Sequence, residues 1–425
     1  METDSTTPQV VVLSEGMGVE SVGILLRWME EPETCPCRLE DLVVITAQVG
    51  NEFCDTGEMM EQHILPRMRA KKIRYVQVAR RGHFESDGIT VLSDTRAPDR
   101  MYLDGDYKLS DELQTNGTVP QFAGGVHRCA PKFKAFVIET WLREHLCGAS
   151  IRHAIGYNAE ETSRIENSEY AFEERRKKTT VRVAFGFNTD ELTRIERASE
   201  YDGLRGDSSL ESDAILNRVA FYPLLEWGWN RQHCIDYIYS VLGVTWRKSC
   251  CVFCPFAANK QNANELAARH MQHPMQVADA MTMEHVSLAM NPRGTLYRDK
   301  SLIQITIAQG NTQAVESYER KVSESPWALY RVRRIYHAQK SNPTKKGTAD
   351  RAVEKVDVFA DSDSAKIRLE EVAAAVRCEI EEQRGIQYVY RERCATEFPC
   401  REEFFTVAPA MVETKARYGI DWFDE

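Results

Sequence analysis

Nowhere does this chain carry the roughly 18 consecutive apolar residues of a membrane helix, so no membrane role is expected. The opening segment METDSTTPQ is acidic and polar, and lacks the basic and apolar regions of a secretory signal. Positive charge is in deficit too: 54 Lys and Arg stand against 64 Asp and Glu, a formal net charge of −10. That removes a global electrostatic case for coating nucleic acid or docking on an anionic membrane, although a local basic face stays open. Cysteine, at 12 in 425 residues, is too sparse for a disulfide scaffold. A soluble cytoplasmic protein is expected, in whose reducing surroundings clustered cysteines point to metal or redox chemistry. Hydrophobic content of 43% is enough for a large core and two or three domains.

What the chain does have begins at Gln9. In QVVVLSEGMGVESVGILLRW, Val10 to Leu13 read as a buried parallel strand and Val19 to Trp28 as the helix after it. Between them Ser14, Gly16, Gly18 and Ser21 leave a turn of small or absent side chains. Backbone N–H groups at such a turn, backed by a helix N-terminus, can cradle phosphate oxygens. An ordinary glycine-containing βα turn has the same spacing, so both readings stand at this point.

The rhythm continues with a strand at Leu42 to Ala47, a helix at Gly57 to Lys71 and a strand at Ile73 to Ala79. This βαβαβ order predicts an α/β fold with a doubly wound parallel sheet, its ligands at the carboxyl ends of the strands. Arg80 to Gly125 is weakly periodic and reads as a lid-like excursion (80–125). Lys132 to Leu146 is amphipathic, with Phe133, Phe136, Val137, Trp141 and Leu142 along one side. A duplication follows: RHAIGYNAEETSRIE (152–166) and RVAFGFNTDELTRIE (182–196) match at eight of fifteen positions. One copy reads as serving the active site and the other as a structural echo, or else the turn is a scaffold used twice. Residues 9–256 thus form the expected nucleotide-binding and catalytic domain. A mainly helical region (257–340), a polar linker at 341–348 (SNPTKKGT) and a C-terminal α+β region (349–425) complete the expected organisation.

The segment SEGMGVES resembles the PP-loop of ATP pyrophosphatases, usually SGGxDS, and most closely its branch in phosphoadenosine-phosphosulfate (PAPS) reductases. Gly16, Met17, Gly18, Val19, Glu20 and Ser21 take the six motif positions. Gly16 replaces the usual first serine, for which Ser14 is the substitute, and Glu20 replaces the Asp or Gln linked to magnesium. AQVGNEFCDT (47–56) resembles the second-strand motif, with Gly50, Phe53, Asp55 and Thr56 in place. HRCAPKFKAF (127–136) resembles a loop in which Arg, Cys and Lys face the nucleotide. The segment carrying Gly156, Glu161 and Arg164 resembles the one that follows. The resemblance spans residues 9 to 256 and implies an adenine nucleotide, ATP or else PAPS or APS, held with Mg2+.

Near the end of that span, KSCCVFCP (248–255) places Cys251 and Cys254 as a C-x-x-C pair able to bite one metal, which needs further ligands. Cys250 should point away from its neighbour in an extended turn. Cys129 belongs to a motif at the same mouth of the sheet, so Cys129, Cys251 and Cys254 form a candidate three-thiolate site. Three thiolates on a [4Fe–4S] cluster leave one iron open for an exchangeable ligand. Structural Zn2+ and a free redox dithiol are the alternatives. Arg128, Cys129, Lys132 and Lys248 are the candidate catalytic side chains, and Lys134 adds charge nearby. Arg175 to Lys178 (RRKK) is a candidate contact for a nucleic-acid backbone. His127 is a candidate proton donor, and Trp227 and Trp229 are candidate stacking rings. Cys35, Cys37, Cys54, Cys147, Cys234, Cys378, Cys394 and Cys400 are read as packed small hydrophobes.

The whole resembles the iron–sulfur tRNA thiolases, which adenylate a base oxygen and then deliver sulfur. The expectation is an ATP-dependent adenylating enzyme that takes sulfur from a donor and passes it to a nucleic-acid or nucleotide acceptor. Two alternatives are carried: a PAPS or APS reductase, although its C-terminal ECGLH-type motif is missing, and a nucleotide-binding component of a DNA sulfur-modification or defence complex.

Overall fold

The computed structural model describes residues 9–120, 129–162, 165–166, 217–258, 263–297, 300–394 and 397–415. The candidates His127, Arg128 and Arg164, the RRKK run and the second copy of the duplication lie outside the described residues. The chain divides into two compact units, residues 1–109 with 128–251 and residues 110–127 with 252–425.

The first unit carries a six-stranded sheet. Its strands are β1 (Gln9–Ser14), β2 (Val43–Gln48), β3 (Arg74–Arg80), β4 (Ile89–Thr95), β5 (Ser150–Ala154) and β6 (Asn217–Phe221). They lie in the order β4-β3-β2-β1-β5-β6. All neighbours pair parallel except β4, which runs antiparallel along β3. The chain therefore steps outward from β1 through β2 to β3, then returns to the other side of β1 for β5 and β6.

Apolar runs without alternation make both faces of the central strands hydrophobic, so both must be covered. Val11, Leu13, Val44 and Tyr75 pack with α1 (Val19–Glu30), which buries Val22, Leu25, Leu26 and Trp28. On that face α2 (Cys54–Met59) runs into α3 (Leu65–Ala70) through a π-turn at Met60–Ile64. Val12, Ile45, Val76 and Val78 face the other way, against Val137, Ile138, Trp141 and Leu142. These belong to the amphipathic helix expected over 132–146, a π-turn at Pro131–Ala135 continued by a helix at Phe136–His145.

The stretch 80–125 departs from the lid expected of it. Part of it is β4, paired along β3, and residues 110–120 cluster with the second unit. There Arg351 donates to the carbonyls of Gly117 (2.9 Å) and Asn116, because a half-buried guanidinium needs acceptors for its fan of N–H groups.

The second unit departs further from expectation. Its sheet has five antiparallel strands in the order β8-β7-β11-β10-β9. They are β7 (Trp327–Gln339), β8 (Asn342–Phe359), β9 (Ile380–Gln383), β10 (Ile386–Glu392) and β11 (Cys400–Pro409). Residues 341–348, read as a linker, form the tip and opening of the β7–β8 hairpin, with Gln339 opposite Asn342. The helix Pro274–Met290 covers one face through Val286, Ala289 and Met290, and the helix Ser362–Val376 covers the other through Ala365, Leu369 and Ala373. The region 257–340 carries the helices Ala263–Gln272, Pro274–Met290, Leu302–Ala308 and Thr312–Glu324 but ends in β7, and the sheet dominates from there on. Cys394 and Cys400, expected as free packed thiols, are joined in a disulfide. No helix among the described residues is long and apolar enough to cross a membrane.

Candidate functional site

Strand order reverses beside β1, between β2 on one side and β5 on the other. Crevices of this kind, outside the carboxyl ends of parallel strands, are where open α/β sheets bind ligands. The loop Glu15–Gly18 leaves the end of β1 at that point, and α1 starts directly after it.

The loop is held by its own polar groups. Glu15 is 2% exposed and its Oε1 accepts from the Met17 N–H at 2.6 Å and the Ser21 hydroxyl at 2.7 Å. Ser21 Oγ in turn accepts from the Gly16 N–H at 3.1 Å. Met17 adopts φ +58°, a left-handed conformation costly for a residue with a side chain and sustained here by its bond to Glu15. Glu15 Oε2 is buried with no hydrogen-bond partner. Burial pushes the Glu15 carboxyl up to about 7, against the bonds from Ser21 and Met17 that favour its charged form.

No side chain caps α1. Its first intrahelical bond is Val22 N–H to Gly18 carbonyl, so the N–H groups of Val19, Glu20 and Ser21 have no partner within the helix. Gly156, in the turn after β5, lies against this helix start: a Cβ there would stand 3.1 Å from Ser21 N. Glycine at that position brings two backbones together where a side chain would part them. Ser14 Oγ lies 2.7 Å from His153 Nε2 on β5. Burial, with Arg218 nearby, pushes His153 down to about 3, so the imidazole is neutral.

A strap from Trp246 to Cys251 crosses the ends of β1 and β2. Trp246 Nε1–H donates to Met17 carbonyl (3.0 Å) and Ser249 Oγ–H to Gly16 carbonyl (2.8 Å). Arg247 pairs with Asp55 at 2.5 Å, the Cys250 N–H donates to Glu52 Oε1 at 2.5 Å, and Cys251 bridges to Glu52 through the backbone. Gly50, with φ +86°, packs so closely on Lys108 that a Cβ would meet its side chain at 2.6 Å.

The structure thus gathers Ser14, Gly16 to Ser21, Asp55, Gly156, Lys248, Cys250 and Cys251 around one loop and its strap. Glu161 Oε2 accepts from the Asn158 N–H at 3.2 Å, closing the turn after Gly156. Lys132 sits at the carboxyl edge, where its carbonyl accepts from Arg80, the last residue of β3, at 3.4 Å. Cys129 stands just before that π-turn, its thiol pushed up by burial. Glu20, in the position linked by resemblance to magnesium, is instead paired with Arg231 at 2.7 Å. Trp227 and Trp229 pack on the guanidinium of Arg27, 4.3 Å and 4.7 Å from the ring centroids. Among the described residues no three His, Cys, Asp or Glu side chains are grouped to hold a metal. Cys254 belongs to the second unit.

Sequence reasoning missed Glu15, Glu52, His153, Trp246 and Arg231. An acid flanked by an apolar strand and glycines was the one readable signal, for Glu15. The others act through partners 100 or more residues away. Comparison of the chain with protein-family models, curated proteins and solved structures finds no match.

Proposed function

We propose that this chain is an adenine-nucleotide enzyme with a doubly wound PP-loop-type sheet, which activates an acceptor by adenylation and passes sulfur to it. The observation that carries the first half is the uncapped start of α1 behind the Glu15–Gly18 loop, at the strand-order reversal, with Gly156 admitting a close backbone. The N–H groups of Val19, Glu20 and Ser21 would bind the β- and γ-phosphates and take up charge as pyrophosphate departs. An acceptor oxygen attacks the α-phosphorus, and the bond from that phosphorus to the bridging oxygen breaks. Mg2+ carried in with the nucleotide would supply further neutralisation of phosphate charge, while Glu20, at the position that the resemblance links to the metal, has its carboxylate engaged with Arg231.

The sulfur half rests on the C-x-x-C pattern of Cys251 and Cys254. A sulfur nucleophile brought by a separate donor would add to the activated carbon, whose bond to the AMP oxygen then breaks. Among the described residues no three His, Cys, Asp or Glu side chains are grouped as a [4Fe–4S] or Zn2+ site would need.

The test is pyrophosphate release from MgATP with tRNA, DNA, free nucleotides and small carboxylates as acceptors, beside exchange of labelled pyrophosphate into ATP. Release with one acceptor supports adenylation; neither release nor exchange with any of them refutes it. Iron, zinc and sulfide analysis of anaerobically purified protein tests the sulfur half. A second reading, nucleotide binding without catalysis, as in a DNA-modification or defence complex, is favoured by the Glu20–Arg231 pair; tight MgATP binding without turnover would select it. The PAPS or APS reductase reading needs a free tail thiol, whereas Cys394 and Cys400 are bonded to each other. Sulfite release from PAPS would restore it.

A further inference from the structure

The carboxyl of Glu15 has no role in the chemistry above, yet it is the best-enclosed acid of the loop. Its backbone N–H still pairs with β2, donating to Ile45 carbonyl at 2.8 Å, so the side chain is fixed beneath the turn that follows. One oxygen clamps two points of that turn, positions 17 and 21, and through Ser21 a third at Gly16. The second oxygen is buried and unpartnered. No ion pair among the described residues includes Glu15, so no counter-charge offsets the cost of burying a charge there; only the bonds from Met17 and Ser21 do so in part.

We propose that Glu15 is the positioning residue of the phosphate loop and acts as the uncharged acid, so that a polyphosphate is bound together with a proton. The inference rests on the nucleotide reading of the same loop. A phosphate at the start of α1 would add negative charge a few residues from a carboxyl already short of counter-charge, and like charges disfavour ionisation. Among the described residues no ion pair ties Glu15 to a cation of the elements around it, and Arg247 of the strap is paired with Asp55. Tyr75 on β3 is a buried phenol bonded to Thr46, His153 on β5 is neutral against Ser14, Glu20 on α1 is turned to Arg231, and Glu52 accepts from the strap. The upward push that burial gives the Glu15 pKa, which favours the neutral acid, agrees with this geometry.

The experiment is calorimetric titration of the full chain with MgATP between pH 6 and 8.5, in buffers of different ionisation heat. Magnesium saturation keeps the probe's own phosphates ionised across this range. For the wild type we expect net proton uptake and an affinity that falls above about pH 7, by up to ~tenfold per pH unit. Glu15→Gln keeps an acceptor for both loop donors and should bind with no such slope. Ser21→Ala, which removes a bond favouring the charged form, should move the wild-type inflection to higher pH. Binding without proton uptake, or one pH profile shared by wild type and Glu15→Gln, overturns the proposal while leaving nucleotide binding intact. Should Glu15→Gln fail to fold, proton uptake by the wild type and the Ser21→Ala shift decide the matter. No MgATP binding at any pH overturns the nucleotide reading, and this inference with it.

Discussion

Replacing Gly156 by alanine tests the close approach on which the candidate site depends. An added Cβ would lie 3.1 Å from Ser21 N, 3.4 Å from Ser21 Cα and 3.5 Å from the carbonyl carbon of Glu20. All three are main-chain atoms of the first turn of α1, so no flexible side chain can swing away. Relief requires the turn after β5 and the helix start to part by a few tenths of an ångström. Overpacking of this kind costs roughly 1–3 kcal/mol. In a unit of this size each kcal/mol lowers Tm by about 2–4 °C, so a fall of ~2–12 °C is expected. MgATP affinity should fall more than stability, because the displaced atoms are those that would meet phosphate. Gly88→Ala is the control: its added Cβ meets nothing within 4 Å, but φ is +74°. It should lose stability through backbone strain and keep its affinity. Scanning calorimetry and equilibrium titration measure the two effects separately. Wild-type Tm together with wild-type affinity in Gly156→Ala would refute the packing argument.

Trp246→Phe deletes the donor to Met17 carbonyl and leaves a buried acceptor unpaired. A loss of about 1–2 kcal/mol is expected in urea unfolding, and an unchanged midpoint would show that the strap does not hold the loop. Acid stability should be limited by two buried histidines, His153 pushed down to about 3 and His285 to about 4, each mainly by burial. Histidine in the unfolded chain titrates near 6.5, so below that pH the unfolded state binds more protons. Their contribution is complete above pH 6.5 and is lost as pH falls toward those values. His153→Gln should flatten the decline in urea midpoint between pH 6.5 and 4; an unaltered slope would refute the assignment.

Local features were legible because their energetics are local. The apolar run at 10–13, the small residues at 14–21 and the helical period from Val19 each fix backbone conformation within a few residues, and β1, the loop and α1 fall where they predict. The period-3.6 pattern over 132–146 likewise belongs to a helix against the sheet. The C-terminal sheet was not legible in this way. The polar SNPTKKGT reads as a linker until it is seen to form the tip of the β7–β8 hairpin and the start of β8. At the site, the sequence by itself determined a glycine-bearing strand–loop–helix and an acid at position 15. Only the tertiary structure decided that Glu15 is sealed beneath the loop, that Glu20 is spent on Arg231, and that a strap more than 220 residues downstream is bonded to Gly16 and Met17. Such pairings depend on which distant segments meet when the core closes, and the same side chains satisfy many partners equally well until burial removes the competition of water.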